Sequence, residues 1–253
     1  MNFFGIDFGC SSIKYGLVSI DRKIAVSHFD ALPLSPNATT PDFIAAMTGV
    51  LQAAPYFEAA GFGFPSVVHG DHINNMAIQF NQIWVGVLEF LQPLKLAGFA
   101  LNDADAAGLA EVYRFEAADL RQGTTLVLTL GTGIGSALFL DRKLLPNTEM
   151  GLLELHGMDA ELYAAPSVKT RHGLTLPAWA ARLQEYLRKV EILLAPDHIV
   201  LGGGISNDFE TYRSLLDLQI PLVPAYYRNQ AGVIGAAMYA AYKTGHYDLS
   251  PQS

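Results

Sequence analysis

The chain of 253 residues is long enough to bury one large hydrophobic core or two medium ones, and 51% of its residues are hydrophobic. Its 16 basic residues against 24 acidic ones leave a net charge of −8, which argues against nucleic acid or an anionic membrane as a partner. No apolar stretch approaches the roughly 20 residues that cross a bilayer, and the first residues do not resemble a signal peptide. We therefore expect a cytoplasmic protein that acts on small molecules. The one cysteine, Cys10, excludes an internal disulfide and a cysteine-rich zinc site.

The first predicted elements are two strands joined by a tight turn. Residues 5–23 consist of an apolar run, a Gly/Ser turn, a second apolar run and a polar turn. Residues 128–143 repeat this order with a Gly/Thr turn. The distance from the glycine that begins the turn to the Asp-Arg-Lys of the polar turn is two residues shorter in the second copy. An internal duplication therefore competes with a chance match between two ordinary hairpins.

Hydrophobic periodicity predicts alternating helices and strands in the rest of the chain. Helices are predicted over 41–54, 104–115, 177–194 and 231–243, and strands over 61–65, 99–101 and 199–201. The helix over 177–194 has the spacing of an amphipathic core helix, and the last helix is rich in Ala and Gly, which permits close backbone approach. This order predicts an α/β protein of two related lobes with a cleft between them. Residues 1–101, completed by the C-terminal helix 231–244, form the smaller lobe, and residues 102–230 form the larger one.

Several residues carry possible chemistry. Phosphoryl transfer needs N–H donors around the phosphates, a metal or cationic partner, and a base. The Gly-x-Gly-x-Gly turn at 131–135 can expose several N–H groups, and because it enters a strand, a Rossmann or P-loop interpretation fails. In the first copy, Asp7 lies beside the equivalent turn and can hold a hydrated Mg²⁺. Lys14 can reach a phosphate or can be an ordinary solvated strand residue. Asn102 and Asp103 stand at a strand-to-helix junction, where either can cap the helix.

Six segments together resemble the ROK family of sugar kinases (repressor, open reading frame, kinase), most closely its polyphosphate glucokinase branch. They are residues 61–65, 101–111, 128–135, 146–149, 201–206 and 228–232. The resemblance covers nearly the whole chain. It implies the two-lobed, ribonuclease H-like fold of the actin-like ATPases, with the sugar at the bottom of a central cleft and the phosphoryl donor against the glycine turns.

The resemblance also implies roles for individual residues, with Asp103 as the catalytic base. Sugar contacts are expected for Asn81, Asn102, Asp103, Glu149 and Glu154. Contacts to phosphate or nucleotide are expected for Asp7, Gly9, Ser11, Lys14, Gly131, Thr132, Gly133, Gly203 and Gly204. The expected cofactor is Mg²⁺ with ATP or polyphosphate, without zinc. The family is commonly dimeric, so a homodimer is expected.

The sequence departs from the family pattern in its sugar and phosphate motifs. Leu152 replaces the histidine of a Glu-x-Gly-His motif, which removes one sugar hydrogen bond. Cys10 and Ser11 replace a glycine and a threonine of the first turn. The zinc-binding cysteine cluster is missing, as it is in the polyphosphate branch. No N-terminal helix-turn-helix precedes the first strand, so DNA binding is not expected.

These features predict a kinase that transfers a phosphoryl group from polyphosphate, ATP or both to the 6-hydroxyl of glucose or a related hexose. Two alternatives stay open. One is a ROK-like sugar-binding protein whose turnover is impaired, as the changes at Leu152 and Cys10 suggest. The other is a strictly ATP-dependent hexokinase of different sugar specificity. A polyphosphate chain needs a row of cations, for which the candidates are Lys143, Lys169, Arg171 and Arg228.

Overall fold

A computed structural model describes residues 1–9, 12–21, 24–33, 35, 40–70, 72–74, 84–85, 88–114 and 117–249. Predictions for Cys10, Ser11 and Asn81 lie outside the described residues. The chain divides into two units. Unit 1 consists of Met1–Ala110 and Gly232–Leu249, and unit 2 of Glu111–Ala231.

Both units combine strands and helices, as expected for an α/β protein. The strands are β1 Asn2–Phe8, β2 Ser12–Ser19, β3 Ala25–Pro33, β4 Ala59–Phe64, β5 Val67–His69, β6 His72–Asn74, β7 Trp84–Val85, β8 Ala97–Asn102, β9 Thr124–Leu130, β10 Ile134–Leu140, β11 Lys143–Leu145, β12 Glu154–Leu155, β13 Met158–Asp159, β14 His198–Gly202 and β15 Leu222–Pro224. The helices are α1 Thr40–Ala53, α2 Asp103–Tyr113, α3 Ala160–Ala164, α4 Pro166–Arg171, α5 Leu176–Leu194, α6 Phe209–Tyr212 and α7 Ala231–Lys243. The four predicted helices correspond to α1, α2, α5 and α7.

The largest sheet of each unit has the same topology. The strand order is β3-β2-β1-β4-β8 in unit 1 and β11-β10-β9-β14-β15 in unit 2. In each sheet the first three strands in sequence pair antiparallel, and the next two join in parallel. The first two strands are three residues apart in the sequence in both sheets (β1 ends at Phe8 and β2 begins at Ser12; β9 ends at Leu130 and β10 begins at Ile134), so the difference in spacing arises later. The shared topology favours duplication over a chance match.

In unit 1, two strand glycines allow α7 to lie directly on the sheet. A Cβ at Gly5 would overlap the carbonyl oxygen of Val233, and a Cβ at Gly61 would overlap that of Ala236. Helix and strands therefore approach backbone to backbone, as the small residues of α7 predict. Alternate residues of both strands enter the apolar core on the other face of the sheet.

In unit 2, α5 supplies the largest part of the core, as its amphipathic pattern predicts. Trp179, Leu183, Tyr186 and Val190 are fully buried and pack with apolar residues of β9 and β14. The Trp179 indole Nε1 donates a hydrogen bond to the carbonyl of Ala164 at 2.9 Å. This bond ties α3 to α5 and gives α3 a fixed position on the sheet.

The bounds of the units differ from the predicted lobe bounds of 101/102 and 230/231. The division falls inside α2, because a Cβ at Gly235 of α7 would overlap the backbone of Ala106, so the first turns of α2 pack within unit 1. Within the described ranges, no helix combines the length and the apolar character needed to span a membrane.

Candidate active site

The predicted residues of unit 1 lie at one edge of its sheet. β1 pairs with β4 and β4 with β8 in parallel, and the register aligns Asp7 with Gly63 and Phe64 with Asn102. Asp7 therefore lies at the carboxyl end of β1, and Asn102 and the following Asp103 lie at the carboxyl end of β8, with β4 between the two strands. This is the edge at which open α/β sheets bind their ligands.

Asn102 and Asp103 have different roles at the start of α2. The buried Asn102 accepts the N–H of Asp105 at Oδ1 (3.0 Å) and donates from Nδ2 to the carbonyl of Ser66 (3.1 Å). Asn102 is thus the helix cap, which confirms the capping interpretation for this residue. Asp103 is the first residue of α2, is partly exposed, and accepts the N–H of Ala104 at 2.8 Å. Its carboxylate lies at the positive end of the helix and is not needed as the cap.

Asp7 and Lys14 form an ion pair across β1 and β2. They are direct cross-strand neighbours, and Lys14 Nζ lies 2.9 Å from Asp7 Oδ2. Lys14 is therefore paired rather than simply solvated. The N-terminus of α7 lies beside them, since a Cβ at Gly232 would be 2.6 Å from Asp7 Cγ. The negative charge of the buried Asp7 is balanced by Lys14 and by the start of the helix.

Asp7 is also the residue predicted to hold Mg²⁺. Within the described part of the chain, no three His, Cys, Asp or Glu side chains are grouped so as to hold a metal. Mg²⁺ commonly keeps several waters and binds through one or two carboxylates plus substrate phosphates. Asp7 has one oxygen, Oδ1, that accepts no hydrogen bond from the described residues, so a single carboxylate of this kind fits the ion.

In unit 2, two glycine turns lie side by side at the ends of the parallel strands β9 and β14. Gly203 has a φ of +80°, and a Cβ there would overlap the backbone of Leu130, the residue before the other turn. Glycine is required at this position for both reasons. The hydroxyl of Ser206 donates to the Gly203 carbonyl at 2.7 Å and holds the second turn in place. The structure thus brings Gly203 and Gly204 next to the turn at 131–133.

Some of the amides predicted to bind phosphate are already used inside the turns. The Gly9 N–H donates to Ser12 O and the Gly131 N–H to Gly133 O, both at 3.0 Å. In the turn at 131–133, the amides of Thr132 and Gly133 remain, and neither finds an acceptor among the described residues. Of the three residues of this turn that were predicted to contact phosphate, Thr132 and Gly133 therefore have backbone amides available for it, and Gly131 does not.

Glu161, which none of the sequence motifs indicated, covers one side of this turn. Its Oε2 accepts the N–H of Ile134 at 3.2 Å, and a Cβ at Gly133 would overlap the same oxygen. Burial raises the pKa of the Glu149 carboxyl, and the nearby charge of Glu161 raises it further. Burial also raises the pKa of Glu161, and the hydrogen bond from the Ile134 N–H partly offsets this rise. Neighbouring carboxylates with perturbed pKa values are typical of functional sites.

Glu154, the second glutamate predicted to contact the sugar, stays a candidate for that contact. It is exposed on β12, where its carbonyl accepts a hydrogen bond from Lys189 Nζ at 2.9 Å. Both Glu154 and Glu161 follow Glu149 in the sequence, and the resemblance pointed to the nearer of the two. The structure brings Glu161 close to Glu149 because α3 packs beside the start of β10.

The segment that carries Glu149 is held firmly on β10. The Ser136 hydroxyl donates to the Thr148 carbonyl at 2.7 Å and accepts the Met150 N–H at 2.9 Å. Leu152, which stands where the family has histidine, ends the short 3-10 turn Met150–Leu152 and is 38% exposed. An exposed leucine so close to Glu149 offers an adjacent ligand apolar contact only.

Two of the four cations predicted for polyphosphate lie on the helix that contacts the glycine turn. Lys169 and Arg171 belong to α4, whose Ser167 hydrogen-bonds to the turn. Lys143 is on β11, and Arg228 is in the turn before α7. Of the four cations, Lys169 and Arg171 are therefore the two that share an element.

Comparison with known proteins gives relatives that match almost the whole chain. No family model matches. A polyphosphate glucokinase of Mycobacterium tuberculosis (strain CDC 1551 / Oshkosh) is 39% identical in an alignment of 249 residues, gaps included, that covers 96% of this chain and 92% of the relative. A polyphosphate glucokinase of Mycobacterium leprae (strain TN) is 37% identical in an alignment of 250 residues, gaps included, that covers 96% of this chain and 76% of the relative.

Solved structures agree with these relatives. The inorganic polyphosphate/ATP-glucomannokinase from Arthrobacter sp. strain KM has a TM-score of 0.87 at 36% identity and covers 96% of this chain and 99% of its own. A ROK family glucokinase from Streptomyces griseus, in complex with glucose and AMPPNP, has a TM-score of 0.80 at 19% identity, covering 96% of this chain and 100% of its own. The predicted actin-like ATPase fold is thereby confirmed.

Proposed function

The chain belongs to the polyphosphate glucokinase branch of the ROK sugar kinases, and on this basis we propose that it phosphorylates the 6-hydroxyl of glucose or a related hexose. Polyphosphate and ATP are both proposed as donors. One relative is named for polyphosphate and another for polyphosphate and ATP, which supports this choice. The protein is proposed to act in the cytoplasm. The expected homodimer stays a prediction, to be checked by the mass of the protein in solution.

The position of Asp103 carries the proposal. A partly exposed carboxylate at the first position of a helix, with the capping task taken by Asn102, can accept a proton from a hydroxyl group. Asn102 positions Asp103, because the Asn102 side chain hydrogen-bonds to the backbone of Asp105 in the first turn of α2 and to the backbone of Ser66. Asp103 is thus the base that orients and deprotonates the attacking sugar hydroxyl.

Glu149 and Glu161 are proposed to accept hydrogen bonds from other hydroxyls of the sugar. Both are partly buried carboxylates, and they lie close enough for one to raise the pKa of the other. Glu161 takes the place of Glu154 in this proposal, since Glu161 is partly buried, bonds to the glycine turn and raises the pKa of Glu149, whereas Glu154 is exposed. Ionised carboxylates make strong hydrogen bonds to hydroxyl groups, which favours a polyhydroxylated substrate.

The donor phosphates are proposed to bind the free amides of Thr132 and Gly133, with Gly203 and Gly204 beside them. Mg²⁺, when bound with the phosphates, neutralises charge that develops during transfer, and Asp7 is the residue that would hold it. Lys14 keeps Asp7 in place through their ion pair. Exclusion of water matters here, because water is the competing acceptor of the phosphoryl group.

The first experiment is a test of the purified protein against a panel of hexoses, with ATP and with polyphosphate. Sugar phosphate formed with both donors supports the proposal, and turnover with ATP alone would leave the ATP-dependent hexokinase. Isothermal titration with the same sugars separates the other alternative. Sugar binding without any sugar phosphate would identify a binding protein that has lost turnover.

Asp103→Asn tests the catalytic base directly. The variant keeps the shape of the side chain, so we expect a normal fold and near-normal sugar binding, with kcat lower by about 10²–10⁴. Asp42→Asn is the matched control, because Asp42 also lies in the first turn of a helix, α1. Near-normal turnover of Asp103→Asn would leave Asp103 with a structural role only.

A further inference from the structure

Ser167 binds the backbone of the glycine turn twice. Its N–H donates to the Gly131 carbonyl at 3.1 Å, and its hydroxyl donates to the Thr132 carbonyl at 2.6 Å. Arg171 lies four residues later on the same face of α4 and donates from Nη2 to the Ser167 oxygen at 3.5 Å. Because a guanidinium can only donate, the hydroxyl accepts from Arg171 and directs its own proton to Thr132.

These bonds determine where the amides of the turn point. In a trans peptide the N–H is directed opposite to the C=O of the same peptide unit. With the carbonyls of Gly131 and Thr132 drawn toward Ser167, the N–H groups of Thr132 and Gly133 both point away from α4. Successive backbone N–H groups that point the same way form a concave site for an anion.

The opposite side of the turn has a separate anchor. The N–H of Ile134 donates to Glu161, which belongs to the proposed sugar contacts. One turn therefore presents two amides to one ligand and positions a carboxylate for another. Within the turn, the hydrogen bonds of Ser167 go to the two peptide units that present these amides.

We propose that Ser167, oriented by Arg171, is a positioning residue that sets the peptide planes of the turn so that the amides of Thr132 and Gly133 bind a phosphate group of the donor. Ser167 does not itself contact the phosphate, since the carbonyls and not the amides face it. This inference rests on the proposed function and gives a structural cause for the binding of the donor phosphate. It also separates donor binding from sugar binding within a single turn.

The test is Ser167→Ala, which removes the hydroxyl bond and leaves the N–H bond to Gly131. We expect the donor KM to rise about three- to tenfold, as for the loss of one neutral hydrogen bond, with an unchanged hexose KM. Ser167→Thr keeps the hydroxyl and should restore the donor KM. Thr170→Ala, at an exposed position of the same helix, is the control for removing a small hydroxyl side chain from α4.

Titration with inorganic tripolyphosphate measures donor binding without turnover, so it tests the inference even if no kinase activity is found. Weaker tripolyphosphate binding by Ser167→Ala at an unchanged melting temperature supports the inference. Equal rises in the two KM values, or unchanged tripolyphosphate binding, would overturn it. An inactive wild-type protein would count against the proposed function alone.

Arg171→Gln tests the orienting step in a double-mutant cycle. If Arg171 acts through Ser167, its replacement weakens tripolyphosphate binding in the wild type but has no further effect in Ser167→Ala. Additive losses would show that Arg171 contacts the phosphates directly, and the orienting role would then be wrong.

Discussion

Replacing Gly133 by alanine is expected to displace Glu161 and to weaken hexose binding. A Cβ at this position would lie closer than 3.0 Å to Glu161 Oε2, so the carboxylate must retreat toward the ordinary contact distance of 3.4 Å. Its bond to the Ile134 N–H, at 3.2 Å, is already at the long end of the usual 2.7–3.2 Å range and breaks on retreat. Loss of a hydrogen bond to a charged group costs about 1.5 kcal/mol or more, so we expect the hexose KM to rise about tenfold or more.

Gly131→Ala is the matched variant, because a Cβ there meets open space within 4 Å. It should leave the hexose KM unchanged, whatever its effect on the donor. The assay is the hexose KM at saturating donor, together with a melting temperature for each variant. In a Glu161→Ala background, Gly133→Ala should add little, because the side-chain end that it would displace is already absent. A wild-type hexose KM in stable Gly133→Ala would refute the reasoning.

Two further predictions concern the carboxylates and their neighbour Leu152. As the pH falls through the raised pKa values of Glu149 and Glu161, the carboxylates become protonated and hexose binding weakens. Glu161→Gln removes a charge that raises the pKa of Glu149, so the acid limb of the kcat/KM profile should move to lower pH. An acid limb that does not move would contradict the coupling between the two carboxylates. Leu152→His supplies a hydrogen-bonding group beside Glu149 and should strengthen glucose binding by about 1–3 kcal/mol, measured by titration. Unchanged affinity for every hexose tried would show that position 152 does not face the sugar.

Much of the fold was predictable because its signals are local. The spacing of Trp179, Leu183 and Tyr186 predicted the core helix α5, and the buried side chains confirm it. The two hairpin segments predicted a repeat, which appears as two sheets of identical strand order. The position of Asn102 and Asp103 between a strand and a helix also follows from neighbouring residues, and the capping bond of Asn102 agrees with it.

Which side chains contact each other in the site could not be predicted from such local signals. Nothing in the spacing indicates that Lys14 pairs with Asp7, since that contact depends on the register of β1 against β2. The resemblance likewise pointed to Glu154 and gave no indication of Glu161. Only the packing of α3 beside the start of β10 brings Glu161, and not Glu154, to the glycine turn.

By itself, the sequence determined the class of protein, the segments that become strands, helices and glycine turns, and the motif that carries Asp103. These depend on properties of adjacent residues, such as periodicity, capping preference and the conformational freedom of glycine. The tertiary structure decided which turn amides remain available and which carboxylates lie together. Hydrogen bonds such as those of Ser167 to the turn and Ile134 to Glu161 join residues that are far apart in sequence, and they exist only once the helices have packed on the sheet.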